Sequence, residues 1–224
     1  DRGVRLGGVA WYEGAFFYQI FPDRFFRAGP PGRPAPAGPF EPWEAPPTLR
    51  GFKGGTLWGV AEKLPYLLDL GVEAIYLNPV FASTANHRYH TVDYFQVDPI
   101  LGGNEALRYL LEVAHAHGVR VILDGVFNHV GATHPWFQKA LKDPSSPELG
   151  MFTFYPDGSY ASFWGVKHMP KLDYASALTQ ERFVFGKEAP VRYWMRLAHG
   201  WRLDVAHSIG EGGTNRKNAR WLRA

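Results

Sequence analysis

Two short segments hold side chains whose types and spacing could do chemistry. In Gly200-Trp201-Arg202-Leu203-Asp204-Val205 an arginine precedes an aspartate by two residues inside an apolar run. In a strand, positions i and i+2 point to the same side, so Arg202 and Asp204 project together. A guanidinium beside a carboxylate favours the ionised carboxylate. An ionised, oriented aspartate is what a covalent nucleophile at a sugar's anomeric carbon needs. A structural Arg–Asp pair is the alternative reading of these two residues alone. The second segment, Asp124-Gly125-Val126-Phe127-Asn128-His129, follows the run Val119-Arg120-Val121-Ile122-Leu123. It places Asp124, Val126 and Asn128 on one strand face, with His129 opening the loop beyond. Polar groups at the carboxyl ends of apolar strands are where α/β barrels and open α/β sheets place their sites. A turn cap at Asp124 and a loop histidine would be the bland account, and two such strand ends in one chain weigh against it.

The elements that must position these groups follow a regular order. Phe16–Phe21 reads as a first strand stopped by Pro22. Residues 28–50 form a proline-rich loop, and loops of that length are usually functional or mobile. Gly54–Gly59 opens a helical pattern with Val60, Leu64, Leu67 and Leu68 at helical spacing, ended by Gly71. Ala74–Asn78 is a second strand, and a loop runs from Asn86 through Tyr89 to Tyr94. A helix spans Asn104 to His117, Val119–Val126 is the third strand, and Gly200–Val205 the fourth. Residues 130–180 show little periodicity and read as an irregular excursion after the third strand. Residues 188–197 suggest a short helix, and a basic helix follows the fourth strand. Alternating strands and helices argue for an α/β fold with parallel strands and right-handed crossovers. The expected units are 1–129, 130–180 and 181–224.

Composition narrows the function classes. The chain has 224 residues, 46% hydrophobic and 16% aromatic, enough for a substantial core. Aromatic rings also suit sugars, whose C–H faces pack flat against them. Net charge is only +3, with acidic and basic residues interspersed. The basic cluster Arg216, Lys217, Arg220 and Arg223 has the spacing of a solvated helix face, so nucleic acid is not an expected partner. His115 and His117 are two apart, do not share a helix face and read as partners of a helix C-terminus. Cysteine is absent, which removes disulfide and thiol chemistry. No run approaches the ~20 apolar residues of a membrane span. No secretory leader is visible, and the residues leave the location open, with cytoplasmic favoured and secretion as the alternative.

Four motifs together resemble the α-amylase family of glycoside hydrolases. They are Tyr18–Phe25 (YQIFPDRF), Asp124–His129 (DGVFNH), Gly200–Val205 (GWRLDV) and Met169–Asp173 (MPKLD). The last is similar to the form found in the neopullulanase, cyclomaltodextrinase and maltogenic amylase branch. The resemblance implies a (β/α)8 TIM barrel with a small domain inserted after the third strand. This chain would cover only the first half, about four βα units plus the insert. It implies retaining double displacement on α-glucosidic bonds, α-1,4 and also α-1,6, in malto-oligosaccharides, cyclodextrins or pullulan. Asp204 would be the nucleophile and Arg202 its orienting partner. His129 would bond the 6-hydroxyl of the bound sugar, Tyr89 would stack on its ring, and Asp124 would support Arg202. His207, three residues past Asp204, reads equally as a contact to the leaving-group sugar or as a structural loop histidine. No cofactor is required, and calcium is the ion the resemblance admits, at Asn128. A homodimer is compatible with the branch.

Several residues depart from the family pattern. The family's general-acid Glu and its further Asp follow strands beyond the fourth, so neither motif occurs here. Glu211 lies in a Gly-rich turn and reads as a solvated residue, not the acid. His90 stands where many relatives carry an Asp. Lys171 replaces an Asp that ligates calcium in some members, which argues against that calcium site. A non-catalytic binding or partner subunit and a glycosyl-transferring relative are the alternatives, the first disfavoured because Arg202, Asp204, Asp124 and His129 are all present.

Overall fold

A computed structural model describes residues 10–224, so residues 1–9 of the expected first unit lie outside the described residues. The strands are β1 (Phe17–Ile20), β2 (Ala74–Leu77), β3 (Phe81–Ser83), β4 (Thr91–Val97), β5 (Arg120–Gly125) and β6 (Gly200–Leu203). Strands β1, β2, β5 and β6 form one sheet in that order, and every neighbouring pair is parallel. All four expected strands are therefore present, the first and third trimmed at both ends and the second and fourth at the carboxyl end alone.

Their register fixes the two faces. Gln19 sits level with Tyr76, Tyr76 with Ile122, Ile122 with Gly200, and Asp124 with Arg202. Alternation puts these residues on one face. The other face carries Ile20, Ile75, Leu77, Val121 and Leu123, all buried in the core. Helices α1 (Leu57–Glu62), α2 (Leu64–Asp69) and α3 (Gly103–Ala116) supply Val60, Leu64, Leu67, Leu107, Leu110 and Ala114 to the same core.

The expected single helix after Gly54 is two. Thr56 caps α1, its hydroxyl accepting from Gly59 N at 3.0 Å. Lys63 then leaves helical geometry and Pro65 occupies the first turn of α2, where its missing N–H costs nothing. Strands β3 and β4 form an antiparallel pair where a loop is expected from sequence. Two register shifts interrupt that pair, so the period-2 signal is broken.

The excursion 130–180 adds Phe137, Met151, Phe152 and Leu172 to the same core. Phe137 from α4 (Pro135–Lys142) packs edge-on against Phe152 and Tyr160, at centroid distances of 5.0 and 4.8 Å. Isolated bridges Phe152–Leu172 and Ser162–Pro170 fold the excursion on itself, and His129–Lys171 ties it to the loop after β5.

Candidate active site

The polar face of the sheet carries one continuous hydrogen-bonded chain. Gln19 Nε2 donates to Asn78 Oδ1 at 3.0 Å, and Asn78 Nδ2 donates to the Tyr89 hydroxyl at 3.2 Å. Tyr89 and Tyr76 both donate to Asp124 Oδ2, at 2.8 and 2.5 Å. Arg202 Nη1 donates to Asp124 Oδ1 at 3.1 Å and to Asp204 Oδ1 at 2.6 Å. Arg202 thus holds two carboxylates at once. Its side chain is 44% exposed, whereas those of Asp124 and Asp204 are 0% and 12% exposed.

Asp204 lies one residue past the end of β6, so strand alternation alone does not orient it. Its backbone N–H donates to Gly125 O at 3.0 Å, extending the β5–β6 ladder by one bond. Val205 then turns left-handed at φ 40°. A β-branched residue there is a conformational outlier, and such strain persists where the surroundings over-determine it. The turn holds the Asp204 carboxylate against Arg202.

The loop after β5 is pinned from both sides. The Tyr94 hydroxyl lies 2.7 Å from Val126 O and 2.9 Å from His129 O, and the Tyr174 hydroxyl donates to Phe127 O at 2.6 Å. This sets His129 with Nε2 3.2 Å from Tyr89 O. A cavity of about 330 Å³ lies beside these groups, walled by His87, Tyr89, His90, His129, Phe163, Met169, Asp204 and Val205. A separate cavity of about 290 Å³ behind Phe127, Tyr174, Phe183, Leu203 and Trp221 has no acidic or imidazole side chain in its wall.

Titration follows from these surroundings. Burial pushes His129 down to about 4, and burial with its neighbours His87 and His168 does the same to His90. Burial also lowers His87. Burial and the adjacent Asp124 push Tyr89 up to about 12 and raise Tyr76 further. The imidazoles and phenols around the cavity are therefore neutral at pH 7. Burial raises Asp124 more than Tyr76, Tyr89 and Arg202 lower it. For Arg202, burial opposes the charge but Asp124 and Asp204 outweigh it and raise the group. A neutral, aromatic, hydrogen-bonding wall beside one oriented carboxylate suits an uncharged polyhydroxylated ring.

The structure thus brings Asp204, Arg202, Asp124, Tyr89 and His129 together. His207 lies on the short helical turn Ala206–Ser208, exposed, and does not line the cavity. The calcium expectation at Asn128 is corrected. Asn128 Oδ1 accepts from the buried Lys171 Nζ at 2.7 Å, and Lys171 also donates to Ser208 O. A resident ammonium repels a second cation, so the residues present do not fit calcium there. Among the described residues no cluster of three or more His, Cys, Asp or Glu side chains could hold a metal ion. Glu211 is not solvated: Lys217 Nζ lies 3.0 Å from its Oε2, and Trp221 Nε1 donates to Oε1 at 3.2 Å. The bond from Lys217 lowers its carboxyl, the opposite of what a proton donor requires. Sequence reasoning missed Tyr76, Phe163 and Met169. Tyr76 reads as strand filler, though its i+2 spacing from Asn78 was a usable signal.

The fold and site are thus a parallel α/β sheet with an Arg-bridged carboxylate pair at its carboxyl edge, and comparison with known proteins gives the family. The family described as Alpha amylase, catalytic domain matches residues 19–221, and the chain belongs to that family. It is 40% identical over 212 residues to a cyclomaltodextrinase of a Bacillus species, covering 89% of this chain and 37% of that protein. It is 37% identical to an intracellular maltogenic amylase of Bacillus subtilis, covering 89% and 34%. Among solved structures, a protein of Thermus thermophilus is 68% identical with a TM-score of 0.78, over 88% of this chain and 43% of that one. The cyclic α-maltosyl-(1→6)-maltose hydrolase of Arthrobacter globiformis is 34% identical with a TM-score of 0.77, over 87% and 45%. The chain spans about a third of the length of the curated relatives it matches. No described helix is long and apolar enough to cross a membrane.

Proposed function

We propose that this chain carries the nucleophile side of a retaining α-glucan hydrolase, on the first four βα units of a (β/α)8 barrel with residues 130–180 as the inserted domain. The observation that carries this is Arg202 Nη1 spanning Asp204 Oδ1 at 2.6 Å and Asp124 Oδ1 at 3.1 Å, with Asp204 in the wall of an aromatic cavity. In the first step an Asp204 oxygen bonds to the anomeric carbon as the bond to the leaving glycosyl oxygen breaks. That oxygen takes a proton from a general acid. In the second step water attacks the same carbon, releases Asp204 and returns its proton to the acid, now acting as base. Arg202 keeps the nucleophile oriented, Tyr89 and His129 face the sugar, and Asp124 anchors Arg202.

The acid is none of the carboxylates described here. Asp124 is raised but both its oxygens are taken and it does not line the cavity. Glu211 is held by Lys217. The whole protein must supply the acid about 5–5.5 Å from Asp204. Cyclic and linear malto-oligosaccharides are the substrates we propose, following the names of the relatives.

The test is trapping of the full-length protein with a fluorinated α-glucosyl fluoride, followed by peptide mapping. The label is expected on Asp204, and Asp204→Ala is expected to lower kcat on maltoheptaose by on the order of 10⁴-fold or more. A label on another side chain, or wild-type turnover in the variant, overturns the assignment.

A further inference from the structure

We propose that Trp164 is a stacking platform for a glucose unit of a long or cyclic α-glucan, outside the cavity that holds the cleaved bond. The proposal rests on the reading of the cavity just given and extends it outward.

Trp164 is the most exposed aromatic side chain among the described residues, at 83%. Keeping an indole in water forgoes the stabilisation of burial, and a tryptophan with one free face typically marks a contact surface. The turn alone does not call for it. Trp164 sits left-handed at φ 52°, ψ 31°, and Gly165 follows at φ 73°. A glycine would make the same turn without strain, so a bulky residue is held there against its backbone preference.

Continuity with the cavity supplies the reason. The Trp164 ring stacks on Phe163 at 4.9 Å and 19°, and Phe163 stacks on His129 at 5.3 Å and 20°. Phe163 and His129 stand in the same cavity wall as Asp204. A single run of near-parallel rings therefore leads from the nucleophile's chamber to the surface. The run is fixed before any ligand arrives. Phe163 N donates to Met169 O at 2.9 Å, Val166 N to Phe163 O at 3.0 Å, Met169 N to Val166 O at 2.9 Å, and Lys171 N to Ala161 O at 2.9 Å. A preorganised face loses little entropy on binding. Pyranose rings offer flat C–H faces, and neither ring of the outer step carries a charge, so an uncharged sugar is the fitting occupant.

The test uses the full-length protein with Trp164→Ala and Trp164→Gly. Binding of β-cyclodextrin and maltoheptaose is titrated by calorimetry in an Asp204→Asn background, and kcat/KM is measured with Asp204 intact. Both variants are expected to raise Kd for maltoheptaose about tenfold, equivalent to 1.4 kcal/mol. The ratio of kcat/KM for maltoheptaose to that for maltotriose is expected to fall by a similar factor. Trp164→Gly is expected to hold or raise Tm, because glycine relieves the turn; a purely structural tryptophan predicts a lower Tm and equal losses on both sugars. Unchanged Kd, equal losses, or a change of oligomeric state with unchanged Kd (a protein contact) overturns the platform while leaving the active site standing. A wild-type protein that neither binds nor cleaves these sugars overturns the active-site reading and the platform with it.

Discussion

Replacing Asp124 by Asn separates what this carboxylate does for stability from what it does for chemistry. Three donors converge on it: Tyr76 at 2.5 Å, Tyr89 at 2.8 Å and Arg202 at 3.1 Å. Making these neutral instead of charge-assisted costs about 1 kcal/mol each, or about 3 in all. Burying an ionised carboxylate costs several kcal/mol. The direction of the Asp124 shift says which is larger: burial raises the group despite all three donors. Asparagine keeps the shape, turns its oxygen to Arg202 and offers its NH₂ to the two phenolic oxygens, whose O–H groups can rotate away. Asp124→Asn is therefore expected to match wild-type stability at neutral pH or exceed it by up to about 1 kcal/mol. Asp124→Ala orphans two half-buried hydroxyls and is expected to lose about 2–4 kcal/mol. The amide holds Arg202 less firmly, so kcat/KM of the whole protein should still fall about 10–100-fold, the worth of one charge-assisted bond.

The pH dependence carries the sign. A carboxyl raised in the folded state binds its proton more readily there than in the unfolded chain. Wild-type stability therefore declines as pH climbs from the unfolded value of about 3.9 through the folded value. Asparagine does not titrate. The variant's relative stability should be greatest at neutral pH and shrink towards about pH 4 and below. Denaturant melts of the full-length protein across that range, with maltoheptaose hydrolysis measured in parallel, test this. A variant destabilised by more than about 1 kcal/mol at neutral pH, or one whose relative stability improves on acidification, would refute the reasoning.

Two further outcomes follow from strain and burial. Val205→Gly relieves a left-handed β-branched residue at φ 40°, a gain of about 1–3 kcal/mol offset by about 0.5–1 of glycine entropy. Tm should rise while kcat falls, because the turn that fixes Asp204 loosens; a lower Tm would show that the geometry is not strained. Burial pushes the Lys171 ammonium from 10.5 down to about 8. The unfolded chain then holds its proton more tightly, so wild-type stability should rise relative to Lys171→Met between pH 8 and 10.5. Parallel melts at the two ends of that window check it, and a flat difference counts against a buried ammonium.

The four strands of the parallel sheet were legible because each is a short apolar run bounded by Pro, Gly or polar residues. The same legibility gave Asp124, Arg202 and Asp204, polar residues at the ends of such runs. Strand β4 was hidden because the bulged β3–β4 pairing buries Thr91, Tyr94 and Val97, a spacing of three where a regular strand shows two. Phe163 and Met169 were hidden for another reason. They lie in an irregular segment closed by the Ser162–Pro170 bridge and the bond from Phe163 N to Met169 O, and no periodicity announces such contacts. Asn128 shows the limit of reading one residue at a time. Its sequence position suggests a metal ligand, Lys171 forty-three residues later argues against one, and the 2.7 Å contact between the two side chains shows that the cation is part of the chain.

Register is what turns two ordinary strands into an electrostatic device. In the β5–β6 pairing Asp124 lies level with Arg202, and Gly125 with Leu203. A slip of one residue would turn the β6 side chains to the opposite face, and Arg202 would lose Asp124 to the core. Gly125 helps to hold that alignment, since a Cβ there would sit 2.6 Å from the Phe127 ring, and the Phe127 ring in turn packs at 5.0 Å against Trp201. The apolar face of the sheet thus fixes a register whose consequence appears on the polar face. The bridge between two carboxylates is as stable as the packing beneath it, and Gly125→Ala should weaken the Arg202–Asp124 contact without touching either charged residue. A lower kcat/KM on maltoheptaose in the full-length variant checks this, and wild-type kcat/KM with a lowered Tm would show that packing and bridge are independent.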